Sequence, residues 1–153
     1  MRPSLHEHAG GEASLLRLAQ AHHVRCLADP ELNHPFSRGG HPQHLERLAA
    51  YWGEVFGGPA LYFLTCGTQS EALATHAGNG DMSDLGRRFA ECFVAIADDA
   101  GLPDDAEFRA ALRAYVEWAT TSFVGHPDGV DTVPRGLEGP HWGWGGLITR
   151  NQY

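Results

Sequence analysis

An all-α domain is the fold class this sequence predicts, and three observations carry the prediction. Apolar residues recur at steps of three and four along four long segments, the spacing that lines one face of a helix. No segment alternates apolar and polar residues over a strand length, so strands have no good candidate. Helix-stopping residues fall where those segments end: Asp29-Pro30, Gly57-Gly58-Pro59, and Gly101 with Pro103.

The first long helix spans Glu12 to Ala28. Leu15, Leu18 and His22 share one face, and Leu16, Ala19, His23 and Leu27 the next, so burial over a wide arc is expected. The second runs from Pro42 to Phe56, with Pro42 in the first turn, where its missing N–H donor costs nothing. Leu45, Leu48, Ala49, Trp52, Val55 and Phe56 form its apolar stripe. A third helix, Ser83 to Asp99, turns Leu85, Phe89, Cys92, Phe93 and Ile96 inward and is slightly weakened by Gly86. The fourth starts near Asp104 or Asp105, acidic residues suited to a helix N-terminus. It carries Phe108, Leu112, Tyr115, Val116, Ala119 and Phe123 to Gly125. These four helices are expected to account for the core, with Trp52 and Trp118 inside it. Beyond Gly125 the helical period ends in a Gly/Pro-rich stretch containing Trp142-Gly143-Trp144. Two tryptophans are costly to leave in water, so this tail is expected to dock on the domain or on a partner.

A chain of 153 residues with 42% apolar and 20% charged residues fits one globular domain that needs no disulfide or structural metal. No apolar run reaches membrane-spanning length. The start of the chain lacks the apolar segment of a signal peptide, which predicts a cytoplasmic location. Cys26, Cys66 and Cys92 form no Cys-x-x-Cys pair, so neither a disulfide framework nor a cysteine zinc site is suggested. Cys26 and Cys92 are expected to act as small buried apolar groups. The net charge of −8, without a single lysine, excludes a phosphate-neutralising stripe and with it nucleic acid as a partner. Ten histidines are the compositional anomaly, since imidazole is a common metal ligand and titrates near neutrality. His6, His8, His22 and His41 are expected to be solvated. His41 and His44 have a zinc-compatible spacing, but no third and fourth ligands follow it.

Several of these motifs fall in an order with a known parallel. Gly10-Gly11, Ala28-Asp29-Pro30-Glu31-Leu32, Arg47-Leu48, Tyr51-Trp52, Gly57-Gly58-Pro59, Tyr62, Gly67, His76, Cys92 and Tyr115-Val116-Glu117 give the chain a resemblance to group II of the truncated haemoglobins, over residues 4 to 125. The resemblance implies a globin-like sandwich of two helices over two, holding haem b between the pairs. On this reading residues 1–125 are the haem domain and 126–153 an irregular C-terminal extension. It also implies that His76 is the proximal iron ligand, leaving the opposite position for a diatomic ligand. Phe36 is the aromatic wedge against the haem, with Leu48, Leu73 and Phe89 lining the pocket. Arg47 is placed either to reach a haem propionate or to pair with a surface acid. Tyr62 either reaches a propionate or packs.

On the distal side the chain departs from the family. His23 stands where the family usually has a tyrosine, and Phe89 where it usually has a tryptophan. His44 falls one turn before Leu48, so His23 and His44 are the candidates for acting on a bound ligand. A buried imidazole donates a hydrogen bond to bound dioxygen and also accepts a proton, which favours chemistry on hydrogen peroxide. Three functions follow from different classes. The first is a haem-b protein binding dioxygen or another diatomic gas. The second is a haem oxidoreductase, peroxidase-like or a dioxygenase, acting on a small organic substrate and dependent on a reductase. The third is a haem-free globin-like module whose tryptophan tail contacts a partner.

Overall fold

A computed structural model describes residues 2–29, 43–74, 78 and 82–148, together with the backbone of residues 75 and 76. Six α-helices occur among the described residues: α1 (Leu5–Ala9), α2 (Glu12–Ala28), α3 (His44–Val55), α4 (Gln69–His76), α5 (Ser83–Asp99) and α6 (Ala106–Phe123). None of the described helices is long and apolar enough to cross a membrane.

Packing follows from the apolar stripes. α2 lies against α3, α5 against α6, and α2 also bridges to α5, which gives a two-over-two helical sandwich. Between the layers an aromatic ladder forms the core. Trp52 meets Phe93 edge-on with ring centroids 5.0 Å apart, and Phe56 meets Tyr115 at 4.9 Å. Such edge-to-face pairs align the positive ring edge with the negative face of the next ring. Leu15, Leu18, Ile96, Phe108 and Val116 fill the remaining space.

Two helices lack a sequence signal and were not expected. α1 has five residues, too few to show a period, yet Leu5 and Ala9 enter the core. Ser4 caps it by accepting the Glu7 N–H, and Gly10 closes it in the left-handed region at φ 112°. A Cβ at Gly10 would also lie 2.3 Å from Ser14 Oγ, so any other residue there strains the backbone and displaces the serine hydroxyl. α4 is the second, and it carries Leu73 into the core.

The expectation of a wholly buried α2 arc is corrected at Leu27, which is 43% exposed. That α3 begins at Pro42 is not testable, since Pro42 lies outside the described residues and the described helix starts at His44. α6 starts as its acidic cap predicts, with Asp105 accepting the Phe108 N–H at 3.2 Å.

The expectation of no strand is also corrected. Trp142–Gly143 and Gly146–Leu147 pair antiparallel, Trp142 opposite Leu147. This small hairpin seats the buried Trp142 against Tyr115 and Trp118, each at 5.8 Å between ring centroids. Trp144 donates its indole N–H to Pro3 O at 2.9 Å, and the Arg2 guanidinium sits 3.5 Å over its ring. Both tryptophans therefore dock on their own chain. On the way there the tail runs along α4. Ser70 Oγ donates to Pro134 O and accepts from Leu137 N, and Gly78 N donates to His126 O.

Candidate functional site

The two expected distal histidines come from different helices and meet. His23 on α2 and His44 at the start of α3 are both half-buried, with ring centroids 6.2 Å apart. Leu48 lies one turn after His44 on the same face of α3 and is half-buried, as is Phe89 on α5. These four side chains combine two polar nitrogen bases with apolar walls.

Two other expected residues are committed to the frame around them. Arg47 donates from Nη2 to Cys66 O at 3.0 Å, so its described bond goes to a carbonyl and not to an acid. Tyr62 packs edge-on against Tyr51 at 5.0 Å. The Tyr51 hydroxyl donates to Gln69 Oε1 at 2.8 Å and is pushed above the usual tyrosine range, chiefly by burial. That bond fixes the first residue of α4 to α3. The buried Glu54 carboxylate adds a second tie by accepting the backbone N–H groups of Tyr62 and Phe63 at 2.9 and 3.0 Å.

Leu73 is buried on α4, and the backbone of His76 ends that helix. The His76 side chain and the whole of Phe36 lie outside the described residues. His41 does too.

The expectation of a solvated His22 is corrected. Its ring is 1% exposed, because α2 turns it into the sandwich, 4.2 Å from the Phe89 ring and 5.8 Å from that of Trp52. Burial first, then the charges of His23 and His44, lower its pKa from 6.5 to about 4, so the ring is neutral at pH 7. His6 is likewise buried, not solvated, since Gly53 and Gly58 leave room for its ring. His8 is half-buried and bonds Asp105 at 2.8 Å.

Cys26 is buried as expected, whereas Cys92 is only half-buried. Cys26 Sγ lies 3.4 Å from His22 Nδ1, and Cys92 on α5 brings its thiol within 4.8 Å of both. The neighbouring thiol, together with burial, raises the Cys26 thiol, while Cys92 is lowered. The spacing of His22 and Cys26 by four residues was visible in the sequence. Their approach to Cys92 was not, because it depends on how α2 crosses α5.

Two helices packed over two, with a pair of half-buried imidazoles where α2 meets α3, match a globin-like fold. Solved structures with the same fold are haemoglobins, a group II truncated haemoglobin among them. The haemoglobin of the thermophilic phototroph Chloroflexus aurantiacus is 25% identical, with a TM-score of 0.69 over 80% of this chain and 98% of that one. A thermostable haemoglobin from the actinobacterium Thermobifida fusca is 26% identical, with a TM-score of 0.66 over 80% and 97%. The group II truncated haemoglobin of Bacillus anthracis shares the fold at 17% identity, with a TM-score of 0.71 over 82% and 94%. No protein-family model and no curated protein matches the chain.

Proposed function

We propose that this truncated globin is a haem-b protein that binds dioxygen or another diatomic ligand between His76 and a distal pair, His23 and His44. The observation that supports this reading most is the meeting of those two imidazoles, 6.2 Å apart and half-buried, in a fold shared with haemoglobins. The donor set suits the group: nitrogen bases from two helices, together with the half-buried apolar Leu48 and Phe89. Haem would supply an iron with one position for a protein imidazole and one for a small ligand.

The chain's own residues divide the remaining work. His76 is the proximal base. Tyr51–Gln69 and Ser70–Pro134 anchor the start of α4, and Gly78–His126 holds the chain just past its end. Phe36, Leu48, Leu73 and Phe89 exclude water, which strengthens every hydrogen bond made inside. His23 and His44 donate an N–H to a ligand that carries partial negative charge. Arg47, bonded to Cys66 O, and Tyr62, packed on Tyr51, brace the frame around the site.

A second reading rests on the same pair. Each imidazole also accepts a proton, so His23 or His44 can take one from hydrogen peroxide at one oxygen and return it to the other, the proton movement of a peroxidase. A small organic substrate and a reductase would then be the partners. The tryptophan-tail interaction module loses its motive, because Trp142 and Trp144 pack on their own domain.

The test is His44→Leu compared with the parent protein, both supplied with haem. Faster loss of bound dioxygen, or conversion of a six-coordinate ferric spectrum to a five-coordinate one, is expected. Unchanged kinetics and spectrum would take the distal role from His44. Peroxide added to the ferric protein, with a phenol as substrate, separates the readings: turnover no faster than with free haem leaves ligand binding alone.

A further inference from the structure

We propose that His22, Cys26 and Cys92 form a zinc site that clamps α2 to α5. His22 and Cys26 are one turn apart on α2, and Cys92 faces them from α5. One ligand atom of each lies within 4.8 Å of the other two. Zinc takes thiolate at about 2.3 Å and imidazole at about 2.0 Å, and a tetrahedral angle then puts sulfur and nitrogen about 3.5 Å apart. Cys26 Sγ is 3.4 Å from Nδ1 and 3.6 Å from Nε2 of His22. The thiol thus sits beside the ring, nearly equidistant from its two nitrogens, and a turn of the imidazole about its Cβ–Cγ bond presents one nitrogen to an ion held by the sulfur.

Charge and access agree with the geometry. Two thiolates and a neutral imidazole around Zn²⁺ sum to zero, the combination that costs least to keep in a site where His22 is 1% and Cys26 0% exposed. Binding is a simple exchange: the ion enters, the two thiols release two protons, and nothing is oxidised. Cys92 is half-buried and lines a groove of about 870 Å³ with Arg25, Asp29, Arg88 and Glu91. That groove gives the ion its way in and leaves room for a water as fourth ligand. Cys66 takes no part, being in the segment between α3 and α4 and hydrogen-bonded through its carbonyl to Arg47. None of the three ligands is among the residues proposed to hold haem, although His22 packs on Phe89 of that pocket.

The experiment uses the full-length protein, thiols reduced and metals stripped, titrated with zinc chloride against a chromophoric chelator. One zinc per chain is expected. Cys26→Ser and Cys92→Ser should each weaken binding by more than the roughly 10- to 100-fold that losing a ligand's hydrogen-bond partner costs. Cys66→Ser should bind like the parent. Zinc K-edge absorption of the unaltered protein, which needs no variant to fold, should show two sulfur neighbours and one imidazole nitrogen. Failure to take zinc from the chelator, unchanged affinity in Cys92→Ser, or an absorption spectrum without sulfur would overturn the proposal.

Discussion

Trp142→Ala tests whether the tail is a working part of the domain. Trp142 is 6% exposed and closes the end of the aromatic ladder on Tyr115 and Trp118. A buried aromatic side chain removes about 150–250 Å² from water, which at about 25 cal/mol per Å² gives about 4–6 kcal/mol. Against this stands the indole N–H, which has no hydrogen-bond partner among the described residues, at a cost of about 1–3 kcal/mol. The net loss expected for the alanine variant is therefore about 2–4 kcal/mol, a large share of the 5–15 kcal/mol that usually holds a domain together. Trp142→Phe keeps most of the ring and removes the unpaired donor, so it should lose less than about 1.5 kcal/mol. Urea unfolding followed by circular dichroism at 222 nm measures both. A loss under about 1 kcal/mol for Trp142→Ala would mean that the tail does not stabilise the sandwich, and phenylalanine falling as far as alanine would refute the role given to the N–H.

Two further outcomes follow from polar side chains. In metal-free protein the His22 imidazole should titrate near pH 4, not 6.5, as read by NMR of its ring protons. Because the unfolded chain binds that proton more readily, the associated stability is fully present above pH 6.5 and is lost as pH falls towards 4, about 3 kcal/mol in all. A titration near 6.5 would mean that the ring reaches water. Ser70→Ala removes both hydrogen bonds that tie the tail to the first turn of α4. Haem should then leave the protein faster than from the parent, in a transfer assay to an apoglobin acceptor, and an unchanged rate would deny the tail any hold on the helix ending at His76.

The helices were legible because their stripes are strong and their ends are marked. Glu12–Ala28 and Ser83–Asp99 begin and end where the apolar period and the Asp-Pro and Gly breaks put them. What escaped is short or depends on two elements at once. α1 is too brief for a period, and the hairpin at Trp142 has strands of two residues. His22 gave two signals that pull apart, an apolar face and a polar ring, and the face decides because α2 is packed on both α3 and α5. The meeting of His23 with His44 was expected from their projection towards one cleft. The Tyr51–Gln69 bond and the cluster of His22, Cys26 and Cys92 were not, since each joins residues from separate elements. Sequence spacing reports neighbours along one helix and is silent on the crossing of two.

The central claim is that an imidazole at position 76 holds haem in this fold, and absorption spectra of the parent protein and His76→Ala, each supplied with haem, test it most directly. The parent should bind one haem per chain and show the intense near-violet band with changes between the ferric and ferrous states, and the variant should lose tight binding. A parent protein that takes up no haem, or a variant that keeps one haem per chain with an unaltered spectrum, would contradict the account.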